Sequence, residues 1–99
     1  MITIDGLVAQ ARRDGASDIH VICGLPPKDR KDGQIEDMCD EVLDEKECLR
    51  LARDLAGTEE NFKTLMRDGE LDAAGTYAGS RCRIHIFKQQ DILFIAIYY

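Results

Sequence analysis

Tryptophan is absent from this 99-residue chain, proline occurs twice and histidine twice, and no apolar stretch approaches the ~18 residues of a membrane span. Insertion into a bilayer is not expected. No segment fits G-x-x-x-x-G-K-[ST], the loop whose backbone N–H groups cradle nucleotide phosphates. The chain alone is therefore not expected to hydrolyse ATP. The four cysteines, Cys23, Cys39, Cys48 and Cys82, include no C-x-x-C pair, which removes the spacing of a zinc or thioredoxin-like site and predicts free thiols at apolar positions. Two histidines without motif spacing make no metal site, so none is expected. A surplus of acidic residues gives a net charge of -6 and argues against nucleic-acid binding, which needs a basic face. The start, Met-Ile-Thr-Ile-Asp-Gly, lacks the basic and then apolar order of a signal peptide, so a cytoplasmic location is expected.

What is present is ordinary globular composition, with 44% hydrophobic and 32% charged residues. One domain over 1–99 is expected. Thr3 can cap a helix on which Ile4, Leu7, Val8 and Ala11 recur at i, i+3, i+4 and i+7, and Gly15 can stop it. Ser17 to Ile22 alternates, with Ile19 and Val21 on one side and Asp18 and His20 on the other. Gly24-Leu25-Pro26-Pro27 is a rigid turn, because proline fixes φ and pushes its predecessor into extended geometry. Asp32-Gly33 suits a tight hairpin between Lys28 to Lys31 and Gln34 to Asp37.

Asp44 with Glu47 resembles a capping box ahead of Cys48, Leu51, Ala52 and Leu55, closed by Gly57. Thr58 opens a further helix with Phe62, Leu65 and Met66 inward and Gly69 as its stop. Beyond Glu70 the texture is three strands with tight turns at Ala78-Gly79-Ser80 and Gln89-Gln90-Asp91. The order helix, three strands, two helices, three strands predicts an α+β fold, with about three helices on a largely antiparallel sheet of about six strands.

In Arg81 to Phe87, alternation directs Cys82, Ile84 and Ile86 to the core and Arg81, Arg83 and His85 away from it. Two parallel arginines can offer several N–H donors to phosphate oxygens, which suits a nucleotide held by a neighbouring domain; the plain alternative is an exposed strand face pairing with nearby acids. Asp18 and His20, two apart on one strand, suit a polar contact surface or a hydrogen-bond anchor.

Three stretches, A-S-D-I-H from Ala16, G-x-P-P-x-x-R-x-D-G from Gly24, and R-x-R-x-x-x-F from Arg81, resemble the N-terminal domain of PilT-like pilus-retraction and type II secretion ATPases. The chain departs from that pattern at Ala73 and Cys82, where the family often carries an aromatic. The resemblance implies a PAS-like domain without its C-terminal RecA-like ATPase domain, either excised from a longer motor or standing alone. It implies a regulatory and assembly role, with Arg81 and Arg83 directed at nucleotide bound by the ATPase domain and Asp18 and His20 at a contact between subunits of a homo-hexamer. ATP with magnesium would be the parent's cofactor, and the ATPase domains of the same and the neighbouring subunit its partners. The alternative is a free-standing PAS-like sensor or interaction domain with a small ligand between sheet and helices.

Overall fold

In the computed structural model, which describes residues 1–99, the first helix α1 (Ile4–Asp14) begins where the Thr3 hydroxyl accepts from the Gly6 N–H at 3.0 Å. It ends at Gly15, whose φ of 76° is the left-handed geometry that glycine adopts without a Cβ penalty. Ile4, Leu7, Val8 and Ala11 are buried, as their spacing predicts. Two strands of a hairpin, β2 (Lys28–Lys31) and β3 (Gln34–Asp37), follow β1 (Asp18–Ile22). The hairpin turns through Asp32 and Gly33, both at positive φ.

Helix α2 (Glu45–Ala56) is capped by Asp44, whose carboxylate accepts from the Glu47 N–H at 2.8 Å. Helix α3 (Glu59–Asp68) starts at Thr58 and stops at Gly69. Arg53 lies over the Phe62 ring at 4.1 Å and pairs with Glu59, joining the two helices. One expected inward residue is not inward: Met66 is exposed, because α3 seats Phe62 and Leu65 and the next position along rotates off the contact stripe.

The last three strands, β4 (Glu70–Tyr77), β5 (Ser80–Gln89) and β6 (Ile92–Tyr98), form the predicted meander. All six strands make one sheet in the order β3-β2-β1-β6-β5-β4, and every neighbouring pair is antiparallel. This α+β architecture is compatible with a PAS-like arrangement. Ile19, Val21, Ile84, Ile86, Ile95 and Ile97 point to one side of the sheet, where they meet α1, α2 and α3 in a single core. Fully burying such a side chain contributes about 1.5–3 kcal/mol relative to exposure. The helices cover that face only. The opposite face of the sheet is open, and no helix is long and apolar enough to cross a membrane.

Candidate functional site

Strand register decides which side chains share the open face, since residues directly opposite one another point the same way. One row across the sheet runs Ala74, Arg83, Tyr98, Asp18, Arg30 and Ile35. The next runs Asp72, His85, Ala96, His20, Lys28 and Asp37. A third contains Glu70, Phe87, Phe94 and Ile22. The pairs Arg81/Arg83 and Asp18/His20, distant in sequence, are thus on one surface. Arg81 is opposite Thr76 on β4 but beyond the end of β6, so it stands at the rim.

Both arginines are exposed and neither forms an ion pair within the chain. Their state differs from that of Arg30, Arg50, Arg53 and Arg67, which are all paired with carboxylates. A guanidinium without an internal partner keeps its planar fork of donors for an external anion. Around Arg83 the surface dips into a shallow groove of about 250 Å³, also lined by Asp72, His85 and Tyr98.

Asp18 departs from the simple exposed-face expectation. It is 6% exposed and acts as a hub: Ser17 Oγ donates to Oδ1 at 2.5 Å, and His20 Nε2 lies 2.5 Å from Oδ2. Arg30 Nε is 3.4 Å from Oδ2 without a hydrogen bond, so it contributes charge and not a directed donor. Burial alone would raise the Asp18 pKa; the hydrogen bonds from Ser17 and His20, and the charges of His20 and Arg30, outweigh burial and hold it below the usual carboxylate range. Ser17 and His20 both bind the carboxylate and not each other, so this is an anchor and not a nucleophilic triad. His20 remains partly exposed, edge-on to Tyr98.

Three features of this face escaped the sequence. His85 is gripped by two carboxylates, with Nδ1 2.7 Å from Asp72 and Nε2 3.4 Å from Glu70. Phe87 and Phe94 stack with ring centroids 4.9 Å apart, and His85 leans on Phe87 at 5.3 Å. Ala96 stands opposite both His20 and His85, so the two histidines flank the smallest side chain of the row. Alternation within Arg81 to Phe87 could have paired His85 with Phe87, but the unbroken apolar run of β6 hides which of its residues face out.

No protein-family model matches the chain, and no curated protein does. Solved structures do match. The pilus retraction motor PilT, solved with bound ADP, is 27% identical with a TM-score of 0.88, over 100% of this chain and 29% of the motor. The ATPase DotB of Legionella pneumophila, at 17% identity and a TM-score of 0.83, matches over 98% of this chain and 29% of its own. The DotB ATPase of Yersinia pseudotuberculosis, also 17% identical, gives a TM-score of 0.76 over 95% of this chain and 28% of its own. The DotB likenesses establish the fold, and in every case the chain spans less than a third of the matched protein. With the PilT match covering its whole length, and with the A-S-D-I-H, G-x-P-P and R-x-R motifs, the chain is similar in fold and sequence to one domain of the pilus retraction motor PilT.

Proposed function

We propose that this chain is a non-catalytic regulatory and assembly domain of a cytoplasmic PilT-like motor, and that Arg81 and Arg83 reach phosphate oxygens of nucleotide held by an adjoining ATPase domain, its own or a neighbour's in a homo-hexamer. The observation that carries the reading is the match of the entire chain to under a third of a retraction motor with ADP bound, combined with two unpaired arginines on a helix-free face. Such donors act on charge that develops during phosphoryl transfer, and in a water-poor interface they are stronger than at a free surface. The Asp18 anchor and His20 belong to the same proposed contact, with Asp18 fixing the strand and His20 available to a neighbouring subunit. Interior packing speaks against the sensor alternative. The cavity where α2 meets the sheet measures about 20 Å³, close to the space of a single water.

The test is Arg83→Ala in a full-length motor carrying this domain. An arginine finger is worth ~10³ to 10⁵ in rate, so ATPase activity of the assembled ring should fall steeply. Arg83→Lys should restore only part, since it keeps the charge and loses the fork. Stability of the domain should change by no more than about 0.5 kcal/mol, because the side chain is exposed and unpaired. Full activity in an intact ring would reduce the pair to a solvated strand face.

A further inference from the structure

Two of the four free cysteines lie close to the Leu43 carbonyl, one through its neighbour's amide and the other through its own thiol. Cys23 directly follows β1, and the N–H of its neighbour Gly24 donates to the Leu43 carbonyl at 2.8 Å. Cys48 lies in the first turn of α2, and its thiol reaches the same Leu43 carbonyl at 3.9 Å. Both cysteines line the 20 Å³ cavity between α2 and the sheet, together with Lys88, Asp91 and Leu93. Nothing in the spacing of 25 positions announces this pair. Cys39 and Cys82 are placed elsewhere: the Cys39 thiol points to the Glu41 carbonyl, and the Cys82 thiol to the Ser80 carbonyl beneath β5.

We propose that Cys23 and Cys48 are a redox-active dithiol, which a low-molecular-weight disulfide oxidises to an intramolecular bond joining the end of β1 to the start of α2. The roles follow from access. Cys23 is half-buried and open to the reagent, while Cys48 is 1% exposed and is not. The Cys23 thiolate attacks one sulfur of the external disulfide, forming a mixed disulfide and releasing the first thiolate. Cys48 then attacks the Cys23 sulfur, its proton passing to a departing thiolate, and the second external thiol leaves. In sum, two protein thiols and one external disulfide become one protein disulfide and two external thiols, a transfer of two electrons.

The order of steps is built into the site. Burial first, then the adjoining Cys23 thiol, and then Asp44 and Glu47, push the Cys48 thiol up to about 12, so Cys48 is not the initial nucleophile. Once the Cys23 sulfur is in a mixed disulfide it no longer ionises or competes for the Cys48 proton, and that part of the restraint is lifted. Lys88 places a positive charge in the same cavity, and Asp91 and Glu45 place negative ones there. The bond would enclose residues 24–47, including the β2–β3 hairpin, and fix that segment to the helix layer.

The experiment uses the 99-residue chain and glutathione disulfide at neutral pH. Titratable thiols in the subsequently denatured protein should fall from four to two, peptide mapping should recover Cys23 linked to Cys48, and dithiothreitol should restore all four. The oxidised form should melt roughly 10 °C higher, as a cross-link of this loop length constrains the unfolded chain. Cys39→Ser should leave the reaction intact, and Cys23→Ser should abolish it. Glutathionylation of Cys23 with no internal bond, pairing through Cys39 or Cys82, or retention of four thiols by the folded chain would each overturn the proposal.

Discussion

The backbone N–H of Ala78 donates to Asp5 Oδ1 at 2.8 Å, so the first turn of α1 holds the tip of the β4–β5 hairpin across 73 residues of sequence. Arg12, a further two turns along α1, donates from Nη1 to the Ala78 carbonyl at 3.1 Å. Both backbone groups of a single turn residue are thereby satisfied by one helix. The strand that leaves this turn is the one that carries Arg81 and Arg83.

Asp5→Ala should therefore loosen the hairpin tip. A hydrogen bond to a charged group contributes roughly 1.5–3 kcal/mol, less at an exposed site, and a loss of about 1 kcal/mol would lower Tm by about 4–8 °C in a domain of this size. Hydrogen exchange at the Ala78 amide should accelerate relative to that of Ile84 in mid-strand. Unchanged exchange at Ala78 would show that the turn holds itself.

Ala78→Asn should act in the opposite direction. Ala78 has φ 48° and Gly79 φ 77°, the two positive values of a type I′ turn, and a left-handed alanine costs about 1–2 kcal/mol where asparagine is tolerated better. The variant should gain up to about 1 kcal/mol, read as a higher Tm. A lower Tm would mean that the Asp5 and Arg12 contacts depend on the alanine.

Gly75→Ala tests a different close approach. A Cβ at Gly75 would lie 2.9 Å from Tyr77 Cε2 and 3.1 Å from its hydroxyl, so the ring must move off the strand. Displacement of this kind costs about 1–3 kcal/mol. Burial, with the charges of Cys82, Asp5 and Asp54, holds the Tyr77 phenol above its ordinary pKa, and ultraviolet titration of the variant should show that pKa moving back down. A native titration curve would place the ring where the alanine leaves it undisturbed.

The elements that were legible in the sequence are those whose signals are local. Thr3, Gly15, Asp44, Thr58 and Gly69 mark helix ends through caps that depend on one or two neighbours, and Asp32-Gly33 marks a turn through φ alone. Arg81 and Arg83 were legible because β5 alternates cleanly between core and solvent. β6 was legible as a strand but not by face: its central place in the sheet makes Phe94, Ala96 and Tyr98 part of a continuous apolar run although they face out. Contacts that depend on register, such as His85 with Asp72 or the shared surface of Arg83 and Asp18, become visible only once strand order is known. The burial of Asp18 has the same origin, since its cover comes from β2 and β6 on either side.

Asp18 and Asp29 belong to adjacent strands, point to opposite faces, and should give opposite pH dependences. Asp29 is 4% exposed, and its Oδ2 has no hydrogen-bond partner. Burial, the hydrogen bond and charge of Asp14, and the charge of Glu36 raise its pKa, with Lys31 opposing in part. A raised folded pKa means that ionised Asp29 costs stability at neutral pH, a cost relieved as pH falls through that folded pKa toward the ordinary carboxylate value. Asp29→Asn, which can donate to Asp14, should therefore stabilise the domain by about 1 kcal/mol at pH 7, with the advantage shrinking in mild acid. Asp18 has a lowered folded pKa, so its contribution is present above the ordinary carboxylate value and is lost as pH falls through the folded one. Asp18→Asn should cost about 1–3 kcal/mol at pH 7, and that deficit should close only in stronger acid. Urea unfolding across a pH series, for wild type and both variants, measures the two differences. Parallel curves, separated by the same amount at every pH, would show that neither carboxyl group titrates differently in the folded chain.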